Sequence, residues 1–129
     1  MSSKSETYTD VTILFADIVG FTAYSGANAA RQVVEMLSKL FTEFDKECNR
    51  LNLFKLYTIG DCYVVMGFMD KRNRKPPAEE AHDVVQLGIS MIRDIVKVRK
   101  MVKNDDLNMR IGIHTVDRRS LRAAWYMAV

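Results

Sequence analysis

Phe54-Lys-Leu-Tyr-Thr-Ile-Gly-Asp-Cys-Tyr-Val-Val-Met-Gly-Phe68 reads as two β-favouring runs, 54–59 and 62–68, separated by Gly60-Asp61. A two-residue connection with glycine suits a tight hairpin, because such turns need left-handed backbone. The rest of the chain arranges itself around that hairpin. Upstream, Val11-Thr-Ile-Leu-Phe-Ala16 is almost continuously β-favouring, which predicts a central strand covered on both faces, stopping at Asp17-Ile-Val-Gly20. Between the two lie Val33, Val34, Leu37, Leu40, Phe41, Phe44, Cys48 and Leu51, at the three-and-four spacing of one helix face. They predict a long amphipathic helix from Ala30, with Ser25 or Asn28 as its cap.

Downstream, Asp70-Lys-Arg-Asn-Arg-Lys-Pro-Pro77 is polar, cationic and proline-bearing, and predicts a solvated surface loop. A second helix is predicted from Ala81, Val84, Val85, Gly88, Met91, Ile92, Ile95, Val98 and Val102, with cations near its last turns where the dipole favours them. After Asn104-Asp105-Asp106, Leu107 to His114 alternates as a last strand with Met109, Ile111 and Ile113 on one face. The order β-α-β-β-α-β predicts an α+β, ferredoxin-like core, an antiparallel sheet with helices on one face. In that topology the first and second strands run parallel, so the first strand ends at the edge where the hairpin turns. Asp17 and Asp61, 44 residues apart, are thereby expected side by side.

Composition narrows the function classes. With 129 residues, 48% hydrophobic and 27% charged, the chain can bury a core and is neither collagen-like, low-complexity nor a disulfide scaffold. Its apolar stretches are strand-length, well short of the roughly 20 residues of a bilayer span. The first residues, Met1-Ser-Ser-Lys-Ser-Glu, lack a signal's apolar region, so a reducing, intracellular compartment is expected. The net charge of +3 is concentrated in the last fourteen residues, which hold Arg118, Arg119, Arg122 and only Asp117; setting these aside leaves 16 basic against 15 acidic residues. So balanced a body gives no reason to expect a nucleic-acid or anionic-membrane surface. Cys48 and Cys62 lack zinc or redox spacing and read as ordinary thiols.

Paired carboxylates at a strand edge serve as an acid/base dyad, as a divalent-metal site, or as turn and cap acceptors. A dyad must hold one proton against its ordinary affinity, which a bound cation makes unnecessary. The glycine turn after Asp17 offers successive N–H groups to phosphate oxygens and favours metal. The turn-capping reading stays open on pattern alone.

Three segments carry a resemblance. Phe15-Ala-Asp-Ile-Val-Gly-Phe-Thr22, Tyr57-Thr-Ile-Gly-Asp-Cys-Tyr63 and Arg110-Ile-Gly-Ile-His-Thr115 resemble, in order, the three signatures of class III nucleotidyl cyclase catalytic domains, with the likeness covering about Tyr8 to Thr115. The resemblance implies that Asp17 and Asp61 bind two Mg²⁺ or Mn²⁺ ions, assisted by the backbone carbonyl of Ile18. It implies that Val19, Gly20, Phe21 and Thr22 wrap the β- and γ-phosphates, and that Arg110 reaches the triphosphate. The reaction would convert GTP or ATP to the 3′,5′-cyclic nucleotide and pyrophosphate. No histidine is required, so His82 reads as helix surface and His114 as a strand residue. Lys55 and Thr58 are expected on opposite faces of their strand, and Tyr57 and Tyr63 as core aromatics.

Two departures from the family qualify this. The position commonly held by a purine-reading Glu or Lys is Tyr57, so the chain resembles the metal-bearing half of a pseudo-heterodimer whose complementary domain supplies base recognition. The family's glycine-rich hairpin and its Asn- and Arg-bearing stretch have no counterpart after Thr115. Residues 1–115 are therefore expected to be an incomplete catalytic domain and 116–129 a non-native tail, the isolated chain being inactive. GTP is favoured over ATP by similarity to the paired domains of large protist guanylyl cyclases, which implies a cytoplasmic domain, compatible with a membrane-anchored parent. Competing readings are a non-catalytic dimerisation or regulatory module, and an RNA-recognition domain, whose RNP1 aromatic pattern is absent. The Gly-Gly-Asp/Glu-Glu-Phe motif of a diguanylate cyclase is absent from the hairpin too.

Overall fold

In the computed structural model, which describes residues 10–70, 72 and 74–116, the first β-favouring run forms β1 (Val11–Val19), carried three residues past Ala16. It is followed by α1 (Phe21–Ala27), α2 (Ala30–Arg50), β2 (Phe54–Ile59), β3 (Cys62–Met66), α3 (Pro77–Met101) and β4 (Asn108–Val116). The sheet order is β2-β3-β1-β4, and each neighbouring pair is antiparallel. This is the predicted α+β topology, with β1 in the interior.

Strand alternation divides β1 between two layers. Leu14, Ala16 and Ile18 meet Tyr63, Val65 and Met109 beneath α2 and α3, whose Met36, Leu40, Phe44, Val84, Leu87, Met91 and Ile95 complete the main core. Each of those large side chains contributes about 1.5–3 kcal/mol on burial. On the opposite face, Val11 and Ile13 pack with Val64, Met66, Phe68 and Val116. That second cluster covers only one end of the sheet. Toward the Asp17 end, Phe15 and Val19 are exposed, so this end of the face is open to a ligand or another domain.

The structure corrects several local expectations. The glycine turn after Asp17 opens a short helix, α1, which the pattern missed because Phe21–Ala27 is too short to display periodicity. Neither Ser25 nor Asn28 caps α2. Ser25 donates to Thr22 O (3.1 Å), Asn28 Nδ2 donates to Tyr24 O (2.8 Å), and Ala29 stands at the N-cap with its N–H bonded to Gln32 Oε1 (3.1 Å). On α3, Leu87 is buried while Val85 and Ile92 are exposed, a rotation of the apolar stripe toward the sheet.

The cationic loop is not simply solvated. Arg72 pairs with Asp70, Arg74 with buried Glu80, and Lys75 with Asp83. Arg74 and Lys75 are largely buried in these pairs while Arg72 stays exposed; Lys71 lies outside the described residues. Val116 ends β4 as a buried residue paired with Val11. Residues 117–129 lie outside the described part.

A register shift between Lys55 and Tyr57 changes the faces of β2. Lys55 pairs with Val65 and Thr58 with Tyr63, both helix-side residues, so Lys55 and Thr58 share a face rather than opposing each other. One extra residue in a strand has this effect because side chains alternate with period two. Tyr57, paired with Val64, goes to the opposite cluster.

Candidate functional site

The hairpin closes through the Ile59–Cys62 pair, leaving Gly60 and Asp61 as the turn, with Gly60 at φ 56°. β3 then pairs with β1 from Tyr63–Ala16 to Met66–Ile13, so the turn lies directly beside Asp17. Asp17, one residue past the Ala16–Tyr63 pair, and Asp61, in the turn, therefore stand next to each other. Burial first, and then the Asp17 carboxyl, push the Asp61 acid above the ordinary carboxylate range. Burial and the same two carboxylates push the neighbouring Cys62 thiol up as well.

Arg110 of β4 stands opposite Asp17 in register, on the same face and exposed. Beyond Val19, Gly20 occupies the left-handed region (φ 82°) at the start of α1. The first bond of that helix runs from Tyr24 N to Gly20 O (3.0 Å), which leaves the N–H groups of Phe21, Thr22 and Ala23 without an intrahelical acceptor. A Cβ on Gly20 would lie 2.9 Å from Asp106 O, in the loop before β4. Gly20→Ala is therefore expected to lower stability by about 1–3 kcal/mol through strain and backbone collision, read as a reduced urea midpoint at unchanged slope.

The structure thus brings Asp17, Asp61 and the Ile18 backbone together, with Arg110 across the strand pair and Val19 to Thr22 adjoining. Among the described residues, no group of three or more His, Cys, Asp or Glu side chains converges to hold a metal ion. The side-chain donors are two carboxylates. Hard oxygen donors of this kind suit Mg²⁺ or Mn²⁺, and a cation between the two acids would relieve the repulsion that raises Asp61. The residues present fit a divalent ion.

The antiparallel sheet with its two long helices is the fold of nucleotidyl cyclase catalytic domains. The family model described as the adenylate and guanylate cyclase catalytic domain matches residues 3–117. The chain belongs to that family. It is 39% identical over 110 residues to guanylate cyclase alpha of Plasmodium falciparum, covering 84% of this chain and 3% of that protein. It is also 37% identical over 112 residues to adenylate cyclase type 9 of Gallus gallus, covering 87% and 8% respectively.

Among solved structures, the adenylyl cyclase CyaB from P. aeruginosa superposes with a TM-score of 0.76 at 25% identity, over 85% of this chain and 58% of that one. The guanylate cyclase domain of RhGC from Catenaria anguillulae, solved in complex with GTP, gives 0.71 at 26% identity, over 86% and 58%. The chain therefore spans a small part of its curated relatives and under two thirds of these solved domains.

Sequence reasoning missed Asp45, on α2. It accepts the Tyr63 hydroxyl (Oδ1, 2.5 Å) and the Lys55 ammonium (3.0 Å). The available signal was a carboxylate between Phe44 and Cys48, on the edge of an apolar face.

Proposed function

We propose that this chain is the metal- and phosphate-holding half of a purine nucleotide cyclase, acting on GTP with a complementary cyclase domain. The observation that carries the reading is the Asp17–Asp61 carboxylate pair, held at the open end of the sheet. In the reaction the ribose 3′-oxygen bonds to the α-phosphorus, the bond to the β-phosphate oxygen breaks, and the 3′-hydroxyl proton passes to solvent. Two Mg²⁺ or Mn²⁺ ions, when bound, supply Lewis acidity to the 3′-hydroxyl and α-phosphoryl group and neutralise the departing pyrophosphate.

Each residue then has a defined task. Asp17 and Asp61 would hold and orient the cations, with the Ile18 carbonyl as a further oxygen. The backbone N–H groups around Val19, Gly20, Phe21 and Thr22 face the β- and γ-phosphates. Arg110, exposed across from Asp17, supplies positive charge to the triphosphate. Tyr57 packs with the second apolar cluster and has neither the carboxylate nor the ammonium of the residues that read purines in the family, which leaves base selection to the complementary domain. The preference for GTP rests on similarity to protist guanylate cyclases.

The test is reconstitution. Purified chain is mixed with a complementary cyclase domain, in Mn²⁺ and either GTP or ATP, and cyclic nucleotide is quantified. Cyclic GMP from the mixture, and none from the chain alone, is the expected result. Product from the chain alone would remove the requirement for a second domain. Silence of folded chain with every complementary domain would favour the non-catalytic module.

A further inference from the structure

Tyr63 lies two residues beyond Asp61 and stands in register with Ala16, the residue before Asp17. Its ring is fully buried, with the rings of Phe41 and Phe44 each 5.3 Å away. Packing of that quality secures the ring, but a buried hydroxyl needs a partner. Tyr63 OH donates to Asp45 Oδ1 at 2.5 Å and lies 3.5 Å from Cys48 Sγ. Asp45 also accepts from Lys55 Nζ, at 3.0 Å to Oδ1 and 3.3 Å to Oδ2. The same Lys55 Nζ sits 5.6 Å from the Tyr63 ring centroid. One carboxylate on α2 thus ties down both strands of the hairpin, Lys55 on β2 and Tyr63 on β3.

The hairpin needs such a tie. β2 is an outer strand, its pairing with β3 is interrupted by the register shift, and the turn contains a left-handed glycine. Two carboxylates pressed together in a partly buried setting repel each other, and the softest response is for the hairpin tip to swing away from β1.

We propose that the Asp45–Tyr63–Lys55 cluster is a clamp that positions Asp61 against Asp17. These are positioning residues, acting through the hairpin. The inference rests on reading Asp17 and Asp61 as the metal-holding pair, and it assigns to α2 a role in metal affinity that packing alone would not confer.

Mn²⁺ is titrated into the full chain, followed by the electron paramagnetic resonance of the free ion, for wild type, Tyr63→Phe, Asp45→Ala and Asp45→Asn. Amide exchange is measured in parallel at Ile59 and Cys62, which close the hairpin, and at Val64 and Val65 in mid-strand. Tyr63→Phe and Asp45→Ala are expected to weaken Mn²⁺ binding roughly tenfold, the low end of what outer-shell changes cost. Asp45→Asn, whose amide oxygen still accepts from Tyr63, is expected to recover most of that affinity. Exchange is expected to rise at Ile59 and Cys62 with Val64 and Val65 unchanged.

Wild-type Mn²⁺ affinity in folded Tyr63→Phe and Asp45→Ala overturns the clamp. So does a uniform rise in exchange across β3, which marks ordinary loss of stability. If wild type shows no Mn²⁺ binding that Asp17→Ala removes, the metal reading of the pair fails instead. The exchange pattern then decides the clamp by itself.

Discussion

Asp61→Ala is expected to lower cyclic nucleotide formation by the reconstituted domains about a thousandfold while leaving the chain's thermal midpoint unchanged or slightly raised. The activity loss follows from the proposed role of the pair in holding divalent cations. Divalent cations contribute several kcal/mol of charge stabilisation to phosphoryl transfer, and each 1.36 kcal/mol is tenfold in rate. The stability effect has the opposite sign because Asp61 is a liability to the folded chain without metal. Its carboxyl is partly desolvated and faces the Asp17 carboxyl, both of which push it above the ordinary range, so removing it relieves repulsion and costs no core packing. Asp17→Ala is expected to match it in activity. A variant retaining more than a tenth of wild-type turnover, or one inactive because it unfolds, would contradict this account of the pair.

Glu80→Ala is expected to destabilise the chain by about 3–5 kcal/mol, the range seen when one member of a buried ion pair is removed. Glu80 is fully buried in the first turn of α3 and accepts from Arg74 Nε at 3.0 and 3.1 Å. Arg74 also donates to Asp10 O at 2.7 Å, and its guanidinium lies 4.4 Å from the Phe68 ring centroid. The cluster therefore joins the start of β1, the segment after β3 and the start of α3. Gly67 lies so close that a Cβ there would be 3.2 Å from Glu80 Cβ, so little free space surrounds the carboxylate. Against a typical total of 5–15 kcal/mol, the expected loss is a large fraction. Denaturant titration measures it as a lowered midpoint at constant slope. Glu35→Ala, at the exposed Arg31–Glu35 pair, is the contrast, with an expected change of at most 1 kcal/mol. Equal effects at the two sites would refute the distinction drawn from burial.

Much of this was legible in contiguous residues. The hairpin followed from Gly60-Asp61 between two β runs, and the helices from three-and-four spacing. The meeting of Asp17 with Asp61 followed from topology, since parallel β1 and β2 must bring the end of one to the turn after the other. α1 was not legible, because seven residues beginning at Phe21 are shorter than two helical periods. Ser25 and Asn28 were misread as caps because their side chains bond backward to Thr22 and Tyr24 within α1. Periodicity also placed Val85 and Ile92 on the buried stripe of α3; how far a helix is rotated on a sheet depends on what it packs against.

By itself, the sequence determined the order of the four strands and two long helices, the sheet they form and the meeting of Asp17 with Asp61 at one edge, because turn chemistry and hydrophobic period are properties of neighbouring residues. Only the tertiary structure decided the faces of β2, the pairing of Arg74 with Glu80, and the anchoring of the hairpin by Asp45. A register shift depends on a partner strand, and an ion pair or buried hydroxyl depends on groups from distant segments arriving in the same low-dielectric place. Neither kind of arrangement can be read from neighbouring residues alone.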